Sequence, residues 1–202
     1  EALEERCRTI RDRHNVFATT NNKQAADGAE IIILAVKPTN MIDVLSDLRG
    51  ALSSDQIAIS IVAGIPMAAI VNGLGHPLVV RAMPNTPAQI SEGVTLWTGS
   101  PAVDGHIRES VESVLNVMGL TVHVTDEKYL DMATALSASG PAYVYLFIES
   151  LIEAGVFLGL PRDLSRTLTL QTVLGSIKLA NETGKHPADL RNMVTSPNGT
   201  TA

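Results

Sequence analysis

The chain has 202 residues, of which 45% are hydrophobic and 18% charged, so it is long enough to bury a core in one domain or in two smaller ones. Its net charge of −6, the lack of any Lys/Arg run and an aromatic content of 3% argue against a nucleic-acid-binding surface. Cys7 is the one cysteine, which excludes an internal disulfide and indicates a reducing compartment; we expect the cytoplasm.

Residues 1–125 alternate short apolar segments with helical patterns. A charged helix, EALEERCRTIRDRH, comes first, and Cys7 is expected on its apolar side as a core residue. Strands are then predicted at VFA, EIIILAV, QIAISIV and LVVRAM, with weaker ones at VTLWTG and TVHV. Helical patterns lie between them, at 23–29, 40–48, 66–71 and 104–117. Because IIILAV does not alternate, it is typical of a parallel strand covered on both faces, which predicts an α/β doubly wound sheet.

From about Asp126 the pattern becomes helical throughout. Helices are predicted at 129–138, 141–158, 162–183 and 187–194, and prolines stand at or near the start of three of them, where a missing amide is tolerated. The sequence therefore predicts an α/β domain at 1–125 and an all-α domain at 126–202.

The predicted helix at 141–158 is apolar nearly all round. Its length approaches a membrane span, but Glu149 and Glu153 fall in its middle, so we interpret it as a buried helix and expect no membrane. The all-α domain is too small to cover such a helix alone, which predicts at least a homodimer.

The predicted strands end in tips rich in small, polar or proline residues: TTNN, AVKP, IVAG and RAMPNTPA. Ligands of open α/β sheets bind at this edge, and none of the tips presents a Ser-His-Asp set, a histidine cluster or paired carboxylates. Small tips suit a nicotinamide dinucleotide, although the sequence has no G-x-G-x-x-G turn. Ordinary structural roles stay open: Lys37 as a charge leaving a strand, Asn22 as a helix N-cap and Arg81 as the anchor of an ion pair.

The last residues read TSPNGTTA. Pro197 fixes one torsion and Gly199 permits positive φ, so Thr200 or Thr201 could begin a helix whose free amides bind a carboxylate. An ordinary loop between helices is the alternative.

Several motifs in this order resemble pyrroline-5-carboxylate reductase, the last enzyme of proline biosynthesis. They are LAVKP, VVRAMPNTPA, SASGPAYVYLFIESLIEAGV, GLPRDL, LQTVLGSIKL and MVTSPNGTT. The resemblance runs from about Asn15 to Ala202. It implies a Rossmann-like NAD(P)-binding domain, an all-α dimerisation domain, and hydride transfer from NADPH or NADH to 1-pyrroline-5-carboxylate, which gives L-proline.

The resemblance also implies site residues. Cofactor-binding positions match Asn22, Ala35, Val36, Lys37, Pro38, Val62, Ala63, Gly64 and, as a neighbour, Asn85. Thr201 matches the catalytic position that hydrogen-bonds the ring nitrogen of the substrate. Substrate-binding positions match Val194, Ser196, Thr200 and Thr201. No metal is implied. The partners implied are the substrate and a homodimer or a higher assembly of dimers, with subunits sharing the site.

The chain departs from the family pattern at a few places. Asn198-Gly199 stands where the family usually has Gly-Gly, and Ala138 replaces a glycine of its SGSGPA motif. We also expect the family's first βα unit, with its glycine turn, to precede Glu1, and further helices to follow Ala202.

Two other interpretations stay open at this point. One is a related imine or 3-hydroxyacid dehydrogenase, although the long helix after the domain boundary carries Glu149 and Glu153 and no lysine. The other is a dimerisation or regulatory module without activity.

Overall fold

The computed structural model describes residues 1–195 and Gly199. These residues form five strands: β1 Ile31–Leu34, β2 Ile57–Ser60, β3 Val79–Met83, β4 Gly93–Gly99 and β5 Gly119–His123. The α-helices are α1 Glu4–His14, α2 Asn22–Ala26, α3 Met41–Leu48, α4 Met67–Leu74, α5 Gly105–Leu115, α6 Lys128–Ala133, α7 Gly140–Phe157, α8 Arg162–Thr183 and α9 Pro187–Val194. Short 3-10 helices lie at Pro38–Asn40, Thr86–Ile90 and Asn116–Met118, and a π-helix lies at Thr134–Ala138.

The five strands form one sheet in the order β1-β2-β3-β4-β5. The first three strands are parallel, β4 runs antiparallel to β3, and β5 runs parallel to β4. The sequence pattern did not predict this reversal of direction at β4. The connection 84–92 is shorter than the roughly twelve residues that a parallel crossover needs, so the chain turns back on itself.

Helices cover both faces of the sheet. Val79 and Val80 are neighbours on β3, both are fully buried, and they belong to different core clusters because adjacent strand residues point to opposite faces. One cluster takes its helical side chains from α2, α3 and α4, and the other takes them from α5 and includes Trp97. Each fully buried aliphatic side chain contributes about 1.5–3 kcal/mol. The predicted doubly wound, Rossmann-like class is confirmed.

Two local predictions in the first residues are wrong. Val16 and Phe17 form no strand and are half or more exposed; among the described residues no strand pairs with this segment, and an unpaired strand cannot satisfy its backbone. The N-cap of α2 is Asn21, whose side-chain oxygen accepts from the Gln24 amide at 3.1 Å, and not Asn22.

The chain divides into two compact units, Glu1–Pro141 and a second unit that begins at Ala142. The predicted boundary near Asp126 stays a prediction. Residues just after it belong to the first unit because Leu130 of α6 is fully buried there.

The second unit contains most of α7, together with α8 and α9. Helices α7 and α8 approach closely at Gly155, where any Cβ would overlap the Ser165 hydroxyl, and that hydroxyl donates to the Ile152 carbonyl at 2.8 Å. No side chain of α7 is buried within the single chain, and Phe147 is 56% and Phe157 92% exposed. The second unit therefore does not bury the apolar side chains of α7 by itself.

Within the described residues, one continuous helical stretch, Lys128–Phe157, is long and apolar enough to cross a membrane by length and composition. A core helix of a soluble protein can pass the same test, so this property alone does not decide the environment of α7.

Candidate functional site

Three predicted tips meet at the carboxyl edge of the sheet. They follow β1 (tip 1, residues 35–38), β2 (tip 2, residues 62–64) and β3 (tip 3, residues 84–85). Leu34 is paired with Ser60, and Ser60 with Arg81, so the three parallel strands end side by side. This edge is where open α/β sheets bind their ligands.

Tip 1 is open to solvent. Ala35 and Lys37 are exposed, and Lys37 has extended backbone angles before Pro38 begins a 3-10 helix. Asn22, Ala35 and Val36 line one cleft of about 360 Å³ beside β1. Pro38 instead lines a second groove, of about 490 Å³, between α3 and α4. The structure therefore brings three of the predicted cofactor residues to one cleft and turns Pro38 towards another.

Asn22 has a side-chain partner on α3. Its amide nitrogen donates to Asp47 Oδ2 at 3.0 Å; Asn22 is half-buried and Asp47 is exposed. The bond occupies one of the two amide hydrogens of Asn22.

Tip 2 presents backbone rather than side chains. Gly64 has a φ of 75°, a conformation that residues with a Cβ rarely adopt, and no atom lies within 4 Å of the Cβ position. Ala63 is exposed, whereas Val62 is 4% exposed and packs into the core, so only the backbone of Val62 faces the edge. A flat ring can approach such a tip closely, and the site therefore fits a nicotinamide dinucleotide.

A buried ion pair fixes the position of tip 2. The Arg81 side chain, 3% exposed, pairs with Glu127 and lies 3.4 Å from Asp131 Oδ1. Glu127 Oε1 also accepts the amide of Met67, the first residue of α4, at 2.6 Å. Glu127 thus joins β3, α6 and the start of the helix that follows tip 2.

The predicted ion-pair role of Arg81 is confirmed, but the importance of Glu127 escaped sequence reasoning. A signal was available: an arginine within a buried strand needs a carboxylate, and Glu127 and Asp131 stand four residues apart on one helix face.

Both polar atoms of the Asn85 side chain, in tip 3, form hydrogen bonds within the protein. Its oxygen accepts from the Val94 amide at 2.9 Å, and its nitrogen donates to the Ser137 carbonyl at 3.2 Å. Because the first partner is a donor and the second an acceptor, the orientation of the amide is fixed by chemistry.

Of the predicted substrate residues, Val194 ends α9 in the second unit and is 65% exposed. Ser196, Thr200 and Thr201 lie outside the described residues. Within the described part of the chain, no group of three His, Cys, Asp or Glu side chains could hold a metal ion.

Two family models match the chain. Residues 127–202 match pyrroline-5-carboxylate reductase dimerisation, and residues 2–64 match NADP oxidoreductase, coenzyme F420-dependent. The chain thus combines a Rossmann-like sheet, whose open tips fit a dinucleotide, with helices that match a dimerisation domain. The molecule is an oxidoreductase of the NAD(P)-dependent class.

The relatives define the family within that class. The chain is 42% identical over 202 residues to pyrroline-5-carboxylate reductase of Corynebacterium melassecola, covering 98% of this chain and 74% of that one. The solved structure of 1-pyrroline-5-carboxylate reductase from Streptococcus pyogenes has a TM-score of 0.91 at 33% identity and covers 99% of this chain and 76% of that one. For the Plasmodium falciparum reductase with NADP bound, the TM-score is 0.87 at 36% identity, with 94% and 72% covered. The chain belongs to the pyrroline-5-carboxylate reductase family.

Proposed function

We propose how this chain carries out the reaction of its family, the reduction of 1-pyrroline-5-carboxylate to L-proline with NADPH or NADH. The cofactor, when bound, supplies a hydride. The imine carbon accepts the hydride electron pair, the π pair of the C=N bond passes to nitrogen, and the protonated nitrogen becomes a secondary amine. The observation that carries the proposal is the 42% identity to a named reductase along 98% of the chain.

The proposed cofactor site consists of Asn22, tip 1 and tip 2. The exposed Ala35, Ala63 and Gly64 leave the backbone accessible to a flat ring, and Val62 contributes through its backbone. These tips carry no His, Asp or Glu, which suits a protonated imine that already accepts hydride readily. Such a reaction needs orientation and one hydrogen bond more than a strong acid.

The proposed substrate site lies on the tail. Thr201 is assigned the hydrogen bond to the ring nitrogen, and the amides around Thr200 and Thr201 hold the carboxylate, with Val194 and Ser196 beside them. This assignment is supported by the TSPNGTT motif and its resemblance to the family pattern.

We further propose that the chain works as a homodimer in the cytoplasm, with a dimerisation domain beginning near Asp126 and no nucleic-acid or membrane partner. The match to a dimerisation model over 127–202 and the unburied apolar side chains of α7 support this assembly. Higher assemblies of dimers are compatible with it.

Substitution of Thr201 tests the site. The hydrogen bond from the protonated ring nitrogen to its hydroxyl oxygen involves a charged group and is worth about 1.5–3 kcal/mol. We therefore expect Thr201→Ala to lower kcat/KM for pyrroline-5-carboxylate by roughly ten- to 150-fold, at unchanged NADPH affinity measured by fluorescence titration.

Two further variants complete that experiment. Thr201→Ser keeps the hydroxyl and should recover most of the rate, and Thr9→Ala, which removes an exposed hydroxyl from α1, should match the wild type. Wild-type turnover in Thr201→Ala would refute the assigned role.

A further inference from the structure

The junction between α6 and α7 contains a carbonyl without its normal helical partner. In an α-helix the carbonyl of residue 137 accepts from the amide of residue 141, but residue 141 is proline and has no N–H. The backbone passes through the π-helix Thr134–Ala138 here, with the Ser139 amide donating to the Thr134 carbonyl at 2.9 Å. Ser137 therefore needs a hydrogen-bond donor from elsewhere.

Asn85 supplies that donor. Its side-chain nitrogen lies 3.2 Å from the Ser137 carbonyl oxygen, and its side-chain oxygen is held by the Val94 amide at 2.9 Å. Its own carbonyl accepts from Ala88 at 3.1 Å. The first two bonds fix this half-buried side chain between tip 3 and the helix junction, and the third fixes the backbone of Asn85.

The position of this contact gives it functional weight. Tip 3 is part of the carboxyl edge where the cofactor is proposed to bind, and the first compact unit ends at Pro141, four residues after Ser137. Asn85 is thus an anchor between the ligand-binding edge and the last turn of helix before the second unit.

We propose that Asn85 is a positioning residue, which holds the Ser137–Pro141 junction against the carboxyl edge of the sheet for catalysis. This inference rests on the proposed reductase function. It differs from the role as a cofactor neighbour that the family resemblance implies, because Asn85 acts here through the helix junction.

The first test compares three variants at saturating NADPH. Asn85→Leu leaves the partly buried Ser137 carbonyl without its side-chain donor, and the loss of such a hydrogen bond corresponds to about a tenfold change. We expect kcat to fall about tenfold, whereas the dissociation constant for NADPH should stay within about twofold of the wild-type value. Asn116→Asp should behave as the wild type, because Asn116 is exposed at the start of the 3-10 helix Asn116–Met118 and its side-chain oxygen only accepts a hydrogen bond, from the Thr121 hydroxyl.

Asn85→Asp adds a pH signature. The ionised carboxylate of this variant would still accept from the Val94 amide, but its second oxygen would repel the Ser137 carbonyl oxygen. A protonated carboxyl group would instead donate a hydrogen bond to that carbonyl. We expect kcat of this variant, relative to the wild type at each pH, to recover as the pH falls from 8 to 5. A loss of stability alone would not produce this recovery.

The second test is a double-mutant cycle with Pro141→Ala, which returns an amide to Ser137. In that background the effect of Asn85→Leu on kcat should shrink from about tenfold to less than about threefold. An unchanged effect, or a variant that loses NADPH affinity while its kcat is normal, would overturn the proposal. If the wild type itself does not oxidise NADPH with pyrroline-5-carboxylate, it is the proposed function that fails.

Discussion

Replacing Glu127 by glutamine removes the charge that neutralises the buried Arg81. Breaking a buried ion pair by removing one partner usually costs about 3–5 kcal/mol, because the remaining charge stays desolvated. Two features reduce that figure here: the Glu127 side chain is 35% exposed, and Asp131 remains 3.4 Å from the guanidinium. We therefore expect Glu127→Gln to lower the free energy of unfolding of the first unit by about 2–3 kcal/mol.

The measurement is thermal and urea unfolding followed by circular dichroism. For a protein of this size the loss is equivalent to a decrease in Tm of roughly 4–12 °C. Glutamine retains an oxygen for the Met67 amide, so the change reports the charge rather than the cap of α4.

Glu153→Gln is the matched control for this substitution. It breaks the same kind of pair with Arg162, but both of those side chains are exposed, so the midpoint should hardly move. If Glu127→Gln were as mild as Glu153→Gln, the reasoning that Arg81 depends on Glu127 would be refuted.

Two further predictions concern other parts of the molecule. Burial, followed by the nearby Arg108, lowers the pKa of His123 below its ordinary 6.5, and Glu112 opposes this shift. The folded protein therefore binds a proton at His123 less readily than the unfolded chain does. The contribution of neutral His123 to the free energy of unfolding is fully present above pH 6.5 and is lost as the pH falls through the lower pKa of the folded state. His123→Phe keeps an aromatic ring beside Trp97 and should flatten this part of the stability profile between pH 7 and 5, whereas an unchanged slope would contradict the assignment. On α7, Phe147→Glu places a charge among exposed apolar side chains and should shift the mass measured by light scattering from dimer towards monomer, while Ser54→Glu in an exposed loop should not; a dimer that resists the first change would place the interface elsewhere.

The sequence predicted those parts of the fold that depend on local pattern. Helices α8 and α9 have the predicted bounds because Pro161 and Pro187 mark their starts. The direction of β4 was not predicted, since strand composition carries no sign of direction and only the length of the connection 84–92 limits it. The π-helix at Thr134–Ala138, which precedes Pro141, was also missed, because Pro141 was interpreted as the start of a separate helix.

The candidate site divides in the same way. Tips 1–3 lie at one edge of the sheet because β1, β2 and β3 are parallel, and the sequence pattern was enough to locate these three tips. The sequence did not predict which atoms of a tip are exposed, because their exposure depends on packing. The Val62 side chain packs in the core, whereas the neighbouring Ala63 is exposed. The partners of Asn85 were also hidden, since Ser137 lies 52 residues away along the chain.

Trp97, fully buried in the sheet core, is the chain's one tryptophan. Its fluorescence therefore reports on the α/β unit alone, while circular dichroism follows the helices of both units. Unfolding curves from the two signals will coincide if the units lose structure together and separate if one melts first. The same indole can pass its excitation energy to a reduced nicotinamide ring bound at the sheet edge, so one natural residue gives a label-free measure of both folding and cofactor binding.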